Sequence, residues 1–497
     1  MTDPALALLR QQPHLAELAA RSFHFDLRRT EHHEPVRLAS GAPLEAVAGD
    51  DTGGTYFVCG GGAVLYASSE GKAGLIGDSV TEALEVIVGL PGWSGRDCFR
   101  PLGDEDGLAS AASPEAANAH AYLSETAAPR AELLAGLGLP ARSPAELVAR
   151  LRTALLRTDL GHLLLNAREG LAYSHLNGPT RPPRWETVLA PGLADLRLMR
   201  SDPASWPEVA PDAGRRAAAL RAAQFARGDE SDLPLLRVLL RHEAAGTGMS
   251  EELRLAAVLV GRFGLTEDLP LLHEARATDP ETQDGLFELP RDARRVARWA
   301  RALDDARFGT DPGAASPLLW ARLASRQGRT ELARAILIRT LDEAGPDAPL
   351  LDSVRGGLEE LGDFAQAARA QRALAPLRDA PWERGTACLT LARLERAAAD
   401  HPAARAALRR TLAELAKDER PVDWRRFALG RTVTEEHLLL AGAAAGAGRT
   451  ELAHEVMAVA VALLGELPAR SRETLTELAD ETARLIVSPA PDRSPEN

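Results

Sequence analysis

The sequence is poor in cysteine, lysine and aromatic residues, and it has no long hydrophobic run. Its three cysteines are widely spaced and odd in number, which predicts reduced thiols in the cytoplasm and no disulfide framework. The longest uncharged apolar stretches, 438–448 and 456–465, are shorter than the roughly 18 residues that a membrane-spanning helix needs. The first residues do not have the pattern of a signal peptide. We therefore expect a cytoplasmic protein without a membrane partner.

The charge balance argues against a general affinity for nucleic acid. The 497 residues include 71 acidic and 58 basic side chains, which gives a formal net charge of −13. All of the basic residues except Lys72 and Lys417 are arginines. A chain with an excess of acids repels polyanions. We expect no DNA partner, and an RNA partner is disfavoured.

The content of 45% hydrophobic and 26% charged residues is typical of a folded globular protein, and the length corresponds to roughly three domains. Only the block from 36 to 93 has a strand pattern. Thr55–Cys59 and Ala63–Ser68 are joined by three glycines and predict a hairpin, and Ala73–Gly77 predicts a third strand. Ser79, followed by Glu82 three residues later, predicts the start of a helix.

From about residue 130 the pattern is helical, and it contains repeats. Asp232–Leu236 recurs letter for letter as Asp268–Leu272, 36 positions later. This unit resembles HEAT-type repeats, in which two helices form a hairpin. In that register Leu235 and Leu271 occupy equivalent buried positions.

A second repeat has a different period. Gly328–Arg334 and Gly362–Ala368 lie 34 residues apart, and Gly448–His454 repeats the first almost verbatim. Thirty-four residues is the period of tetratricopeptide (TPR) repeats, which these units resemble in degenerate form. Such hairpins must stack to bury a face.

The N-terminal block also resembles a known family. Gly53-Gly54, the hairpin that ends at Ser68, the turn Ser69–Gly71 and the following strand and helix are similar to the core of SUKH-superfamily domains, over Leu44–Trp93. The resemblance implies an α+β domain that binds proteins, in bacteria often as an immunity protein that neutralises a toxin. It implies no catalysis.

The predicted fold class is therefore an α+β N-terminal module followed by an all-α helical-repeat region, or α-solenoid. In chain order we expect a SUKH-like α+β module (1–105), an acidic connector rich in Ala, Ser and Pro (106–130), an unassigned helical segment (131–204), HEAT-like hairpins (205–305), degenerate TPR-like hairpins (312–487) and a disordered tail (488–497).

Common catalytic motifs are not found. Lys72 lacks the rest of a P-loop, Gly92–Gly95 is one residue too short for a nucleophile elbow, and no glutamate has the paired histidines of a zincin. His32 and His33 could ligate a metal, but a solvated turn explains them better. We predict no catalytic residue, no metal and no cofactor.

Four residues of the N-terminal block are candidates for partner binding. Asp50 and Asp51 are interpreted first as turn residues that bond the local backbone, with acid–base or cation chemistry as the alternative. Glu70 lies in a turn that a partner surface would include. Trp93 is expected in the core or as a lid, with an exposed anchor as the alternative.

The helical region supplies arginine candidates. Five arginines fall on one side of a predicted helix, where they could bind an acidic partner, a phosphate-rich ligand or RNA, or simply form a solvated face: Arg291, Arg294, Arg295, Arg298 and Arg301. Three further arginines are expected in a concave groove that would suit an acidic peptide: Arg322, Arg393 and Arg396.

These patterns predict a non-enzymatic protein-binding scaffold or adaptor. Its module would engage a specific protein, a toxin in the immunity-type interpretation, and its solenoid would bind a second partner or hold a homo-oligomer together. The alternative is an enzyme or ligand-binding regulator that uses carboxylates of the Gly-rich block, Asp78 included, with the solenoid as a regulatory arm. A third hypothesis is a sensor that docks RNA or a nucleotide on the arginine-bearing helix.

Overall fold

The computed structural model describes residues 3–90, 92–94, 125–176, 181–417, 419 and 423–487. The chain divides into two compact units, Met1–Ile336 and Leu337–Asn497. The described residues form 22 helices and a small sheet region near the N-terminus. This confirms the predicted fold class, an α+β N-terminal module followed by a helical region.

The first part of unit 1, which we call the N-terminal module, consists of the described residues up to Leu176. Its helices are α1 (Pro4–Gln11), α2 (Pro13–Phe23), α3 (Val80–Gly89), α4 (Ala127–Leu137) and α5 (Pro144–Leu156). Its strands are β1 (Val36–Leu38), β2 (Leu44–Gly49), β3 (Thr55–Cys59), β4 (Val64–Ala67), β5 (Lys72–Gly77), β6 (Leu164–Asn166) and β7 (Ser174–His175).

The main sheet of the module has five strands in the order β2-β3-β4-β5-β7. Its neighbours are antiparallel except for β5 and β7, which run parallel where Lys72 pairs with Ser174. A separate antiparallel pair joins β1 to β6, with Leu38 opposite Leu164. The predicted hairpin, the third strand and the following helix are all confirmed.

The central strands of the main sheet are buried on both faces. On one face Tyr56 and Ile76 belong to a core shared with the helices of the module. On the other face Phe57 and Leu75 belong to a core that includes Leu38 of β1. Burial on both sides explains why β3 and β4 appear in the sequence as continuous apolar runs without alternation.

The module extends well past the boundary that the sequence predicts at residue 105. Helix α5 packs against β5, β6 pairs with β1, and β7 completes the main sheet. The segment 131–204, predicted to be helical throughout, therefore contains two strands. Residues 106–124 of the predicted connector lie outside the described residues. The whole of the predicted tail, 488–497, also lies outside them.

The rest of unit 1 is helical. It contains α6 (Arg184–Ser201), α7 (Trp206–Val209), α8 (Ala213–Phe225), α9 (Leu233–Ala244), α10 (Glu251–Gly261), α11 (Leu269–Arg276), α12 (Pro280–Gly285), α13 (Ala293–Leu303) and α14 (Pro317–Arg326). Helix α8 packs on α6, α10 packs on α8, and α13 packs on α10. The division between the two units falls within α15 (Thr330–Glu343).

The duplicated five-residue segment occupies equivalent places in two hairpins. Both copies start a helix, α9 and α11, and the aspartates that precede these helices, Asp232 and Asp268, are buried. Leu235 is buried as predicted, whereas Leu271 is only half-buried. The next leucines, Leu236 and Leu272, are both buried.

Unit 2 consists of helices packed in sequence. They are α16 (Ala348–Glu360), α17 (Phe364–Leu374), α18 (Pro381–Ala397), α19 (His401–Leu415), α20 (Ala428–Gly446), α21 (Thr450–Glu466) and α22 (Ala469–Val487). Helices α16 and α17, α18 and α19, and α20 and α21 form antiparallel hairpins, and α22 packs on the last of them. In both units, no described helix has the length and hydropathy of a membrane span.

Candidate functional site

The turn between β2 and β3 is organised by the buried carboxylate of Asp50. Its Oδ1 accepts hydrogen bonds from the backbone N–H groups of Thr52 and Gly54, both at 2.8 Å, and from the Thr52 hydroxyl. Its Oδ2 accepts from the Tyr66 hydroxyl at 2.6 Å. Burial raises the pKa of Asp50, but the hydrogen bonds outweigh it and hold the pKa below its ordinary value.

The glycine at position 54 makes room for this arrangement. A Cβ atom there would lie 2.3 Å from the Tyr66 hydroxyl and 2.6 Å from Asp50 Oδ2. The Asp50 carboxylate therefore has all of its contacts inside the module. It holds the turn and the two strands together, as the turn interpretation of this residue predicts.

The other three N-terminal candidates lie in different surroundings. Asp51 is half exposed and lies 2.9 Å from His24 Nδ1. Glu70 is highly exposed and pairs with Lys72 at 3.1 Å. Trp93 is 8% exposed, and its ring meets the Tyr66 ring edge-on at 4.9 Å. Trp93 is thus a core residue, and only Asp51 and Glu70 offer carboxylates at the surface.

A hydrogen-bonded chain that sequence reasoning did not find crosses the other face of the sheet. His32 Nδ1 lies 2.9 Å from the hydroxyl of Thr55, and its Nε2 lies 3.0 Å from the hydroxyl of Tyr173. Tyr173 donates to Glu34, which also accepts from Asn166. Because the Tyr173 proton goes to Glu34, His32 Nε2 must donate and His32 Nδ1 must accept from Thr55.

The surroundings of His32 keep it neutral. Burial, assisted by the neighbouring His33, lowers the pKa of His32 to about 4. The adjacent histidines were considered as metal ligands, but His32 bonds to two hydroxyl groups. Among the described residues there is no cluster of three histidine, cysteine or acidic side chains that could hold a metal. The run from His32 to Glu34 was the signal for this site in the sequence. The residues that bond to this run, Tyr173 and Asn166, are far away in the chain.

One cavity of the module lies between β5, α3 and α5 and has a volume of about 300 Å³. Asp78 and Glu82 line it together with Arg150 and Arg157. Arg157 donates to Asp78 at 2.5 Å, while its buried Nε has no hydrogen-bond partner. Asp50, Asp51 and Glu70 are not among the residues that line this cavity, so only Asp78 of the four carboxylates in the enzyme alternative lies there.

The five arginines predicted to share one side of a helix do so on α13 and immediately before it. We call them the arginine face: Arg291, Arg294, Arg295, Arg298 and Arg301. All five side chains are exposed. None of their guanidinium groups makes an ion pair or a hydrogen bond with another described residue. Sequence reasoning missed a neighbouring feature, Phe287, which is 67% exposed.

The three groove arginines differ from these. Arg393 pairs with Glu359 of α16 at 2.6 Å, and Arg396 forms two hydrogen bonds with the buried carboxylate of Glu436 on α20. Both guanidinium groups are therefore engaged between hairpins of unit 2. Arg322 of α14 is exposed in unit 1.

A related set of ion pairs joins the hairpins of unit 1. Asp232, at the start of α9, binds Arg200 of α6 at 2.7 Å. Asp268, at the equivalent position before α11, binds Arg237 of α9 at 2.5 Å. The duplicated aspartate thus links each hairpin to the one before it. The letter-for-letter repeat carried this signal, but the arginine partners lie about thirty residues upstream and show no obvious pattern.

No protein-family model matches this chain, and no curated protein or solved structure is significantly similar to it. A function for this protein must therefore be inferred from its own residues.

Proposed function

We propose that this chain is a non-enzymatic protein-binding scaffold, in which the N-terminal module is a recognition module and the helical hairpins present further surfaces. The observation that carries the proposal is the set of ion pairs between successive hairpins, such as Arg393–Glu359 and Arg396–Glu436. Such pairs fix neighbouring helices relative to one another. A preformed surface loses little entropy when it binds a partner.

The module has a partly apolar surface that suits recognition of a protein. Leu171 is 42% exposed, three residues before Ser174 in the chain. The N–H of Ser174 donates to the carbonyl of Gly71 at 2.9 Å, next to the exposed Glu70. Protein interfaces combine apolar contacts with a polar rim, and Leu171 and Glu70 offer one side chain of each kind near one edge of the sheet. In the SUKH-like interpretation this partner is a toxin that the module neutralises.

The experiment is affinity capture with the full-length chain at native expression level, followed by mass spectrometry. The test variant is Leu171→Arg/Glu70→Arg, and the matched control is Val461→Arg/Glu473→Arg, which makes the same change on α21 and α22. We expect one protein to be retained stoichiometrically by the wild type and the control but not by the test variant. Retention of no protein by any of the three would contradict the scaffold proposal.

A second candidate function is a ligand-binding regulator, and the module cavity of about 300 Å³ favours it. The buried Nε of Arg157 has no hydrogen-bond partner and is a donor that an anionic small molecule could use. Native mass spectrometry of the purified chain tests this candidate. A bound small molecule that Arg157→Met loses would support it, and an unloaded wild-type chain would count against it.

A further inference from the structure

Helix α13 has one buried side and one arginine-bearing side. Val296 and Ala300 are buried against α10, where a Cβ on Gly261 would lie only 3.0 Å from a Val296 methyl group. The close contact fixes the rotation of α13 about its axis. The arginine face consequently points away from the packed side and is held in place by the core.

The arginine face works against the stability of its own helix. Arg294 and Arg298 are one turn apart on α13, and Arg298 and Arg301 are three positions apart, so like charges are neighbours along the helix surface. Arg294 and Arg295 also lie in the first turn, where the helix dipole disfavours positive charge. Elsewhere in the same unit Arg200 is neutralised by a buried aspartate. Only Arg301, in the last turn, is favourably placed relative to the helix dipole.

Solvation alone does not require charges of one sign. The exposed side of α22, another helix with one packed side, carries both signs: Arg472, Glu473, Glu477, Asp480, Glu481 and Arg484. Mixed charges keep such a face soluble without repulsion. Unlike the exposed side of α22, the arginine face carries charges of one sign only. This difference is the reason to expect an external partner.

An exposed aromatic side chain precedes the charges in the chain. Leu286 and Leu289 are both buried, and they anchor the segment that leads into α13. Phe287 lies between them and is 67% exposed. Arginine and aromatic side chains are the residues most often found at the centre of protein interfaces.

We infer that the arginine face and Phe287 together bind a short acidic segment of a partner protein. The distance along the axis from Arg294 to Arg301 is roughly 11 Å, which matches about two turns of an acidic helix. Exposed carboxylates flank the face in the chain at Asp284, Glu288 and Asp305. Carboxylates repel a long polyanion that comes within the screening length of about 8 Å, so a short peptide fits better than RNA.

The choice of a protein partner over RNA rests on the proposed scaffold function. The probe is a fluorescein-labelled acidic peptide of about 12 residues with a central leucine, long enough to cover the face as a helix. Its binding to the full-length chain is measured by fluorescence anisotropy. We expect Arg294→Glu/Arg298→Glu to weaken binding at least about 10-fold, and Phe287→Ala to weaken it several-fold.

The control variant is Arg409→Glu/Arg470→Glu, which makes the same charge change at exposed arginines of unit 2 and should alter binding by less than about 2-fold. The thermal midpoint of Arg294→Glu/Arg298→Glu should equal or exceed that of the wild type, because repulsion within α13 is removed. Equal loss of binding in both variants would overturn the inference. Tighter binding of a uridine oligonucleotide than of the peptide would also overturn it.

The two proposals fail in different ways. A chain that captures a partner through its module but ignores the peptide would contradict only the arginine-face inference. A chain that binds the peptide and loses it in Arg294→Glu/Arg298→Glu, yet captures no protein from cells, would contradict only the scaffold proposal.

Discussion

At the scale of single residues, Asp50 shows how a local motif and a distant partner combine. Its bonds to Thr52 and Gly54 are the local pattern that turn sequences encode. Its bond to Tyr66 depends on the register of β3 against β4, which places Tyr66 opposite Tyr56. The sequence could predict the turn, but it could not predict the hydroxyl that completes it.

We expect Tyr66→Phe to destabilise the module by about 1.5–3 kcal/mol, because it removes a hydrogen bond to a buried charge. The measurement is the opening free energy of β4 amides from hydrogen exchange. Glu70→Gln, at an exposed position, serves as the control and should change this value by less than about 0.5 kcal/mol. An unchanged value for Tyr66→Phe would contradict the assigned role of Asp50.

The lowered pKa of His32 predicts a pH dependence with a definite sign. In the unfolded chain this histidine has its ordinary pKa of 6.5, and in the folded chain its pKa is about 4. Between these values the unfolded state binds the extra proton, so the stability of the module falls as the pH falls from 6.5 towards 4, by at most about 1.4 kcal/mol per pH unit.

Hydrogen exchange of β3 amides between pH 6.5 and 4.5 measures this slope. We expect His32→Gln to flatten it, whereas His14→Gln, at an exposed position, should leave it unchanged. If wild type and His32→Gln have the same slope, His32 is not the group that titrates.

At the scale of secondary-structure elements, short-range signals predicted well. Ser79 caps α3 by accepting from the Glu82 N–H at 3.1 Å, as the sequence indicates. Strands β6 and β7 were missed because runs of three and two residues are too short to show a period. These two segments form strands because β6 pairs with β1 and β7 pairs with β5.

The repeated aspartates predict a large effect between hairpins. Arg237→Met should destabilise unit 1 by about 3–5 kcal/mol, because it leaves Asp268 buried without its partner. Thermal denaturation followed by circular dichroism measures the effect. Arg298→Met, at an exposed arginine without a partner, should be nearly neutral, and Arg237→Met/Asp268→Leu should recover most of the loss. A double variant as unstable as the single one would disprove the pairing.

At the scale of the whole molecule, the net charge decides non-specific binding. With a formal charge of −13, the chain should not retard a DNA duplex of about 20 base pairs at roughly 150 mM salt. The arginine face does not alter this expectation, because exposed carboxylates flank it in the chain. Retardation of the duplex by the wild type, together with its loss in Arg294→Glu/Arg298→Glu, would refute this charge argument.

The sequence by itself determined the α+β start, the helical remainder, the first hairpin and the arginine face, because turns, caps and helix faces involve residues a few positions apart. Tertiary structure decided what such spacing cannot encode. It extended the module to Leu176, set the Trp93 ring edge-on against Tyr66, and joined His32 to Tyr173 across 141 positions of the chain. Those contacts depend on strand register and on which surfaces pack together. Register and packing are determined only when the whole chain folds and buries its apolar groups.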